Sequence, residues 1–529
     1  MDRPDHNAST STLARNKSKK TVTFSPGDPE DPRNWPEWRK WTVVAAITLV
    51  DLSVSWGASG FSPASEKFTE DFHVSAEVGI LGLSLYVLGL ALGPMTLAPL
   101  SEYYGRTLLY IVPYGVFLLF LLGTALVTNL GGFLVLRILS GLFASVTIAN
   151  FGGTIADLWP RHQIGPAMSV FLWAAVCGSP SGYFLMSFVA QTRGWRDVFW
   201  ALLGINGGLW SIMVVVLVVF KNETRHSVLL RRRANRLRKR NNSNVSVPEE
   251  MKQKSLGQLF RVTLSRPFRF LATEAIIMFA ALYNGYLYGL SFLFNGAFNL
   301  VFGQHGYGFN TLGVGLCFLG LVVGITLGPI VNIWQERHYR KAIHSHEREP
   351  EEPGRDDAAV SKDDSRYRNI PEARLQLGKL GAVLFPMSLF WFGWTATPQY
   401  NIHWIVPVLA TVVFGFSFYT LILMTYMYVE DSYMVFSASA LAGVGLVRNL
   451  AGAGFPLFGT QLFENEGYNW AGTILGGLAI LLVPIPFILQ RYGTRLRAKS
   501  PYARQHMDDD DLNDDSGEAA DEEPRQTAV

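Results

Sequence analysis

The segregation of charged residues is the feature that most constrains how this chain folds. Only 16% of its 529 residues are charged and 49% are hydrophobic, and the charges are gathered into stretches that leave long segments nearly free of them. Each of these segments has roughly 20 residues or more, enough for a helix to cross a hydrocarbon core of about 30 Å. The sequence therefore predicts a polytopic membrane protein.

The apolar segments divide into two groups of six. We predict an all-α membrane protein with an N-terminal six-helix bundle at 41–220, a basic cytosolic linker at 221–267 and a C-terminal bundle at 268–490 that includes a cytosolic loop at 333–377. Residues 1–40 are predicted to be a disordered cytosolic tail and 491–529 an acidic one. The twelve spans are expected near 41–61, 78–100, 108–127, 131–156, 166–190, 198–220, 268–296, 311–332, 378–397, 402–428, 436–462 and 470–490.

The distribution of cations predicts the orientation of these spans. Of the 45 Lys and Arg residues, Arg137 and Arg448 lie within spans and Lys67, Arg193 and Arg196 lie in loops on one side, whereas nearly all the others lie on the opposite side or at its membrane edge. Because an excess of cations marks the cytosolic side, both termini are predicted to be cytosolic.

Several other classes of protein are disfavoured by the residues present. The N-terminal segment has no apolar core or cleavage site typical of a removable signal peptide. Cys177 and Cys317 both fall inside spans, which argues against a disulfide framework or a metal site. No GxxxxGK[ST] loop or GxSxG elbow occurs, and the net charge of +3 gives no reason to expect nucleic acid. We therefore expect no cofactor, and an ion or substrate gradient as the energy source.

A weak internal repeat accompanies the division into halves. A GP pair precedes a glutamate that lies four residues before an arginine both after span 2, with Glu102 and Arg106, and after span 8, with Glu336 and Arg340. Spans 5 and 11 are both predicted to be interrupted by glycine and proline, in CGSPSGY and AGAGFPLFG. Matched interruptions in two halves are typical of a transporter with its site between them.

Four ionisable residues fall within or at the edge of spans. Asp51 lies in the middle of span 1, Arg137 in span 4, Glu274 in the first turns of span 7 and Arg448 in span 11. A carboxylate at the bilayer centre costs about 2.5–3.5 kcal/mol, so it should face a partner or a watery cavity. Asp51 and Glu274 are each interpreted either as proton carriers or as structural groups. Arg137 is interpreted as tuning a nearby acid or as a structural ion pair, and the sequence indicates no partner for Arg448.

Span 7 carries a polar stripe. Asn284, Tyr288, Ser291 and Asn295 recur at helical spacing, which predicts one face suited to an amphipathic or planar ligand or to hydrogen bonds between helices. We predict a substrate cavity lined by this stripe together with Asn150 of span 4 and Arg448.

Several motifs together resemble the fungal branch of the major facilitator superfamily, in its twelve-span drug:proton antiporter group. They are DPEDPRNWPEWRKW, APLSEYYGR, RILSG with Arg137 and Gly141, GWRDVFW, NETRHSVLLRRRANRLRK, PEARL, LFWFGWT and RNLAGAGFPLFG. The likeness extends from residue 28 to about 490. Ala98 and Thr107 depart from the usual loop signature between spans 2 and 3.

The resemblance implies roles for particular residues. Glu102, Gly105 and Arg106 would form the loop signature, and Asp157 at the end of span 4 would pair with Arg106 as a conformational latch. Arg137 matches the residue linked in the family to proton coupling. The stretch GSPSG of span 5 resembles the antiporter motif through Gly178, Pro180 and Gly182, although it lacks the usual adjacent Gly-Pro pair.

The expected function is export of a hydrophobic or amphipathic small molecule, such as a drug, fungicide or toxin, by proton antiport with alternating access. The expected partners are this substrate, protons and the lipid bilayer, with a monomer in the plasma membrane as the default and the vacuolar membrane as the alternative. Uptake of a nutrient such as an organic acid or polyamine is a second hypothesis, and a nontransporting membrane receptor is a third. An enzyme is the least favoured class.

Overall fold

The computed structural model describes residues 20–25, 27–160, 163–220, 222–241, 245–246, 256–304, 306–346, 370–397, 402–433, 436–500 and 502–503. Half of the predicted N-terminal tail, part of the linker, the centre of the loop at 333–377 and the acidic stretch after 503 lie outside these residues. Within them, eleven helical stretches are long and apolar enough to cross a membrane.

The first half supplies spans 1 to 6. Span 4 has a turn at Ser145, and span 6 ends in the π-helical turn Val215–Val219. A short helix, Ser65–Phe72, follows span 1. The spans are Glu37–Ser59, Ala76–Tyr104, Arg106–Leu126, Leu130–Ala144 with Val146–Leu158, Gly165–Thr192 and Trp195–Val214.

The second half supplies spans 7 to 12. The longest apolar stretch, Ser437–Lys499, has 63 residues and would be about 95 Å long as one helix. Its chain is broken at Gly467, whose φ of 75° no helix permits, so it crosses twice and the total is the predicted twelve. The spans are Ala275–Phe302, Thr311–Cys317 with Leu319–His346, Gln376–Thr395, Ile405–Tyr433, and Ser437–Leu482 divided at Gly467, with Pro484–Lys499 continuing span 12.

Three short helices and a pair of strands lie beside the spans on one face of the molecule, which we call the linker side. The linker helix His226–Asn241 and the helix Leu256–Thr273 come between the halves, and Ile370–Ala373 precedes span 9. Residues Lys20–Thr21 pair in parallel with Val245–Ser246, a small exception to the all-α prediction. We call the opposite face the far side.

Two predictions about the spans were wrong, one on where a span begins and one on whether two spans are interrupted. Span 7 begins at Ala275 rather than near 268, because a separate helix ends at Thr273 and Glu274 adopts an extended conformation between them. Spans 5 and 11 remain continuous helices through their glycine and proline stretches, with Pro180 and Pro456 inside them. Tertiary packing on both sides of these helices tolerates the missing backbone hydrogen bond of each proline.

The two halves meet along spans 2 and 11 and along spans 5 and 8, and both ends of this interface are closed. On the far side, the Tyr183 and Phe318 rings stack with centres 4.1 Å apart. On the linker side, the hydroxyls of Ser169 and Tyr419 lie 2.6 Å apart. One cavity outlined by described residues lies at the linker side, near Glu336 and Arg374. The two halves are therefore in contact near both ends of their interface.

Candidate functional site

Asp51 is buried at the centre of the first half. Its side chain belongs to a residue only 1% exposed, and Oδ1 accepts a hydrogen bond of 2.6 Å from Thr147 of span 4. Its second oxygen, Oδ2, has no hydrogen-bond partner among the residues that the structure describes. A buried carboxylate with one free oxygen is costly, so this atom is available to a proton or a ligand donor.

Arg448 is buried at the centre of the second half. Its Nη1 donates to the hydroxyl of Tyr426 at 2.7 Å, and its guanidinium carbon lies 4.4 Å from the centre of the Tyr288 ring. Within the described part of the chain, its Nε and Nη2 have no hydrogen-bond partner. Two tyrosines of spans 10 and 7 therefore hold the cation in place and leave one edge of it open.

Asp51 and Arg448 face the boundary between the halves. Their charges interact, but no nitrogen–oxygen distance between them falls within 4.0 Å. The hydroxyl of Tyr288 donates to the backbone oxygen of Ala175 in span 5 at 3.1 Å, which joins the two halves beside Arg448. The structure thus supplies Arg448 with the opposite charge that the sequence did not indicate.

The other residues predicted to line the cavity are only partly brought together. Asn150 lies one turn beyond Thr147 on span 4 and is fully buried, and neither polar atom of its amide bonds to any residue that the structure describes. Asn284 instead donates to Thr425 at 2.8 Å within the second half, and Asn295 donates to its own helix at Phe292. Ser291 is buried on the same span. Tyr288 is therefore the member of the span 7 stripe that contacts Arg448.

Arg137 is bonded to backbone carbonyls. It donates to the oxygens of Gly82, Gly57 and Ala58 at 2.5, 2.9 and 3.4 Å, and its guanidinium lies 4.6 Å from the Tyr86 ring centre. Among the described residues it contacts no carboxylate. Arg137 therefore joins spans 1, 2 and 4, and its predicted tuning of an acid stays a prediction.

Glu274 lies at the linker side, where it precedes span 7. Its Oε2 accepts a 2.9 Å hydrogen bond from the hydroxyl of Tyr433 at the end of span 10, whereas Oε1 bonds to none of the described residues. The residue is 3% exposed and makes no side-chain bond to the helix N-terminus that follows it. This position separates Glu274 from the Asp51 and Arg448 pair, and its predicted part in proton coupling stays a prediction.

Arg106 and Asp157 meet as the resemblance implies. Arg106 Nε lies 3.3 Å from Asp157 Oδ2, and Arg106 Nη1 donates to Ser101 Oγ at 2.7 Å. Gly153 permits this approach, because a Cβ there would lie 2.0 Å from Arg106 Nη2. The result is a buried ion pair between the start of span 3 and the end of span 4.

The second acid of this cluster is Glu223 rather than Glu102. Glu223 accepts from the backbone nitrogens of Arg106 and Thr107 at 3.0 and 3.3 Å, so it caps the N-terminus of span 3. Glu102 is exposed and bonds to none of the described residues, so its placement in the latch is not supported. Gly105 has a φ of 100° and leaves room for Glu223, whose Oε2 would lie 2.8 Å from a Cβ there.

The glycines of span 5 allow close packing on span 1. A Cβ at Gly178 would lie 2.3 Å from Ser55 Cβ, and one at Gly182 would lie 2.6 Å from Ser59 Oγ. Pro180 is buried between them, and its neighbour Ser179 accepts from Ser59 Oγ through its backbone oxygen at 2.6 Å. This motif therefore sets the distance between two spans of the first half.

A clasp between the N-terminal lead-in and the linker helix was not predicted. Asp28 forms an ion pair with Arg233, and Glu30 forms one with Arg236 at 3.2 Å. His226 Nε2 lies within hydrogen-bond distance of Asp31 Oδ1, at 3.1 Å. The signals were present as the acids of DPEDP and the basic run RRRANRLRK, but nothing in the sequence showed that the two segments meet. We call this set of contacts the tail clasp.

Comparisons with known proteins agree with this architecture. The family model described as Major Facilitator Superfamily matches residues 47–456. The chain is 35% identical over 484 residues to an MFS-type efflux pump, MFS2, of Trichophyton rubrum, covering 91% of this chain and 77% of that protein. It is 36% identical over 490 residues to the major facilitator-type transporter sorT of Penicillium rubens, covering 91% and 88%.

A multidrug transporter and a solved structure extend the comparison. The major facilitator superfamily multidrug transporter mdrA of Aspergillus fumigatus is 34% identical over 486 residues, covering 91% of this chain and 76% of that protein. The xylose transporter XylE from E. coli, in a partially occluded inward open conformation, shares the fold with a TM-score of 0.55 at 14% identity, covering 86% and 99%. These findings confirm the resemblance carried by the motifs, and the chain belongs to the major facilitator superfamily as a multi-pass membrane protein.

Proposed function

We propose that this protein exports hydrophobic or amphipathic small molecules by proton antiport. The observation that carries the proposal is the placement of Asp51 and Arg448, one from each half, buried where the halves meet and each with free hydrogen-bonding atoms. Relatives named as efflux pumps and multidrug transporters support the direction of transport.

Proton and substrate would alternate at Asp51. The free Oδ2 accepts either a proton or a donor from the substrate. Protonation removes the negative charge that faces Arg448, and so changes the attraction between the halves at their centre. The Arg106–Asp157 pair is proposed to act as the latch that holds one conformation.

We also propose a location and topology. The linker side carries the basic helix His226–Asn241 and the ends of the lead-in, so it is assigned to the cytosol together with both termini. The plasma membrane is the proposed location and a monomer the proposed functional unit, since each half already contributes its part of the site.

The test is accumulation of labelled azoles, planar polyketide toxins, polyamines and organic acids in pump-deficient yeast, with and without a protonophore. We expect lower accumulation of at least one class, restored by the protonophore and by Asp51→Asn. Glu102→Gln is the matched control, since it also neutralises a carboxylate but one that is exposed. Higher accumulation in expressing cells would show uptake instead of export. If transport by the Asp51→Asn variant still depends on the proton gradient, Asp51 has no part in the mechanism.

A further inference from the structure

The unpartnered atoms at the centre define what a ligand must offer. Arg448 commits Nη1 to Tyr426 and leaves Nε and Nη2 free. These two donors form one edge of the guanidinium and point in nearly parallel directions, so they can bind two acceptor oxygens or share a single one. Asp51 commits Oδ1 to Thr147 and leaves Oδ2 free as an acceptor. A ligand placed between them therefore meets a donor edge on one side and an acceptor on the other.

We infer that the transported compound is a neutral molecule with an aromatic or planar body, a carbonyl acceptor for Arg448 and a hydroxyl or N–H donor for Asp51. This inference rests on the proposed function and specifies its substrate class. Asn150, which is fully buried with both amide atoms free, adds a donor and an acceptor on the side of the first half.

The charges of Asp51 and Arg448 disfavour the binding of ionic ligands. When Asp51 is ionised, its charge is opposite to that of Arg448, so the two groups balance each other without a ligand. A permanent cation would be repelled by Arg448, whichever acceptor groups it carries. A carboxylate at Arg448 would leave Asp51 facing a second anion and so favour its protonation, which makes proton and ligand bind together rather than in exchange.

A neutral donor gives the exchange that antiport needs. The ligand's O–H or N–H and a proton compete for the same Asp51 oxygen, so occupancy by one excludes the other. Arg448 is the charged group that interacts with Asp51. The charge of Asp51 in turn acts on the phenols of Tyr86, Tyr110, Tyr114 and Tyr288.

The aromatic environment accommodates the ligand body. Tyr288 lies against Arg448, with the Phe292 and Phe418 ring centres 5.6 and 5.9 Å from its own. These rings offer apolar faces and edges beside the donor edge of the cation.

The experiment measures binding and flux with the full chain in lipid nanodiscs and in proteoliposomes with an imposed pH gradient. The probes are a monohydroxyflavone whose phenol is distant from its carbonyl, its methyl ether, a flavone carboxylate and the cation rhodamine. We expect the hydroxyflavone to bind about 10- to 100-fold more tightly than its ether, the loss expected for one hydrogen bond to a charged group. Asp51→Asn should reduce the ratio of the two affinities. Arg448→Lys keeps the positive charge but loses the Nε and Nη2 donors, so it should weaken the binding of both flavones equally.

The outcomes separate the ligand class from the function. Proton-driven flux of rhodamine or the carboxylate, with the neutral flavones excluded, would overturn the ligand class and leave antiport standing. The ligand class is also overturned by equal binding of hydroxyflavone and ether, or by no binding of either. Absence of proton-driven flux for every probe would count against the proposed function itself. If a variant fails to fold, the comparison of the two flavones on the unmodified chain still decides the inference.

Discussion

Arg374 donates a hydrogen bond to Asp431 through Nε, at 2.5 Å. Arg374 lies two residues before span 9 and Asp431 near the end of span 10, which are the positions that Arg106 and Asp157 occupy in the first half, at the start of span 3 and the end of span 4. The structural counterpart of Arg106 is therefore Arg374, rather than the Arg340 that the sequence repeat indicates.

Glu336 of span 8 connects the Arg374–Asp431 pair with the first half. Arg374 Nη1 lies 3.2 Å from Glu336 Oε2, and a Cβ at Gly165 of span 5 would lie 2.7 Å from that same oxygen. Movement of span 5 away from span 8 at the linker side would therefore alter the surroundings of the Arg374 cluster.

Loss of either cation should slow transport. Arg106→Gln and Arg374→Gln each remove one cation from a carboxylate that keeps a weaker contact, with Arg225 at 3.7 Å for Asp157 and with Tyr339 at 3.4 Å for Asp431. We therefore expect about 1.5–3 kcal/mol less stability and a several-fold lower turnover. The KM should stay within about twofold, since neither residue reaches the central site. Initial rates in proteoliposomes measure both constants, with Glu102→Gln as the control. A raised KM at unchanged turnover would contradict the latch.

The tail clasp should depend on Asp28 far more than on Glu30. The side chain of Asp28 is 8% exposed in its pair with Arg233, whereas those of Glu30 and Arg236 are 43% and 65% exposed, and exposed pairs contribute little. We therefore expect Asp28→Asn to increase tryptic cleavage of the lead-in and Glu30→Gln to leave it unchanged. The double variant Asp28→Arg with Arg233→Asp should restore protection. Equal cleavage of both single variants would argue against a built clasp.

Protonation of Asp28 sets the pH range of the clasp. The hydrogen bond from Arg233 lowers the pKa of this carboxyl below its ordinary value of 3.8. A lowered pKa means that the contribution of Asp28 is fully present above 3.8 and is lost only as the pH falls through the lower, folded value. Protection contributed by Asp28 should thus be constant between about pH 5 and 8, as judged by the difference in cleavage between wild type and Asp28→Asn.

Gly178→Ala should separate spans 1 and 5. The added methyl would lie 2.3 Å from Ser55 Cβ, whereas Gly208 of span 6 has nothing within 4 Å. Overpacking of this kind costs about 1–3 kcal/mol. We expect a lower melting temperature and reduced export for Gly178→Ala, and neither effect for Gly208→Ala. Identical melting curves for the two variants would show that the structure around Gly178 accommodates a methyl group with no loss of stability.

The fold was predictable because apolar length and charge segregation are local properties. Asp51 and Arg448 could each be recognised as a charge within a span. The two residues are nearly 400 positions apart along the chain, however, and their proximity depends on how the two halves pack. Glu223 was not recognised because it lies in a polar linker, where an acid is expected to be solvated, and only the tertiary structure brings it to the N-terminus of span 3. Arg137 was expected to face an acid because a buried cation needs compensation, yet three backbone carbonyls provide it.

Arg137 gives a prediction that separates structure from proton coupling. Because its planar guanidinium bonds to carbonyls of spans 1 and 2 at once, a lysine would keep the charge and lose most of these contacts. We expect Arg137→Lys to lower the melting temperature and the amount of protein at the membrane. The protein that does fold should retain the pH dependence of transport, in contrast to Asp51→Asn.

Transport normalised to surface protein, measured from pH 5 to 8, makes the comparison. A changed pH profile in stable Arg137→Lys would restore Arg137 to the proton-coupling machinery. An unchanged profile with fewer molecules at the membrane would mean that this arginine preserves the packing of the first half and takes no part in proton coupling.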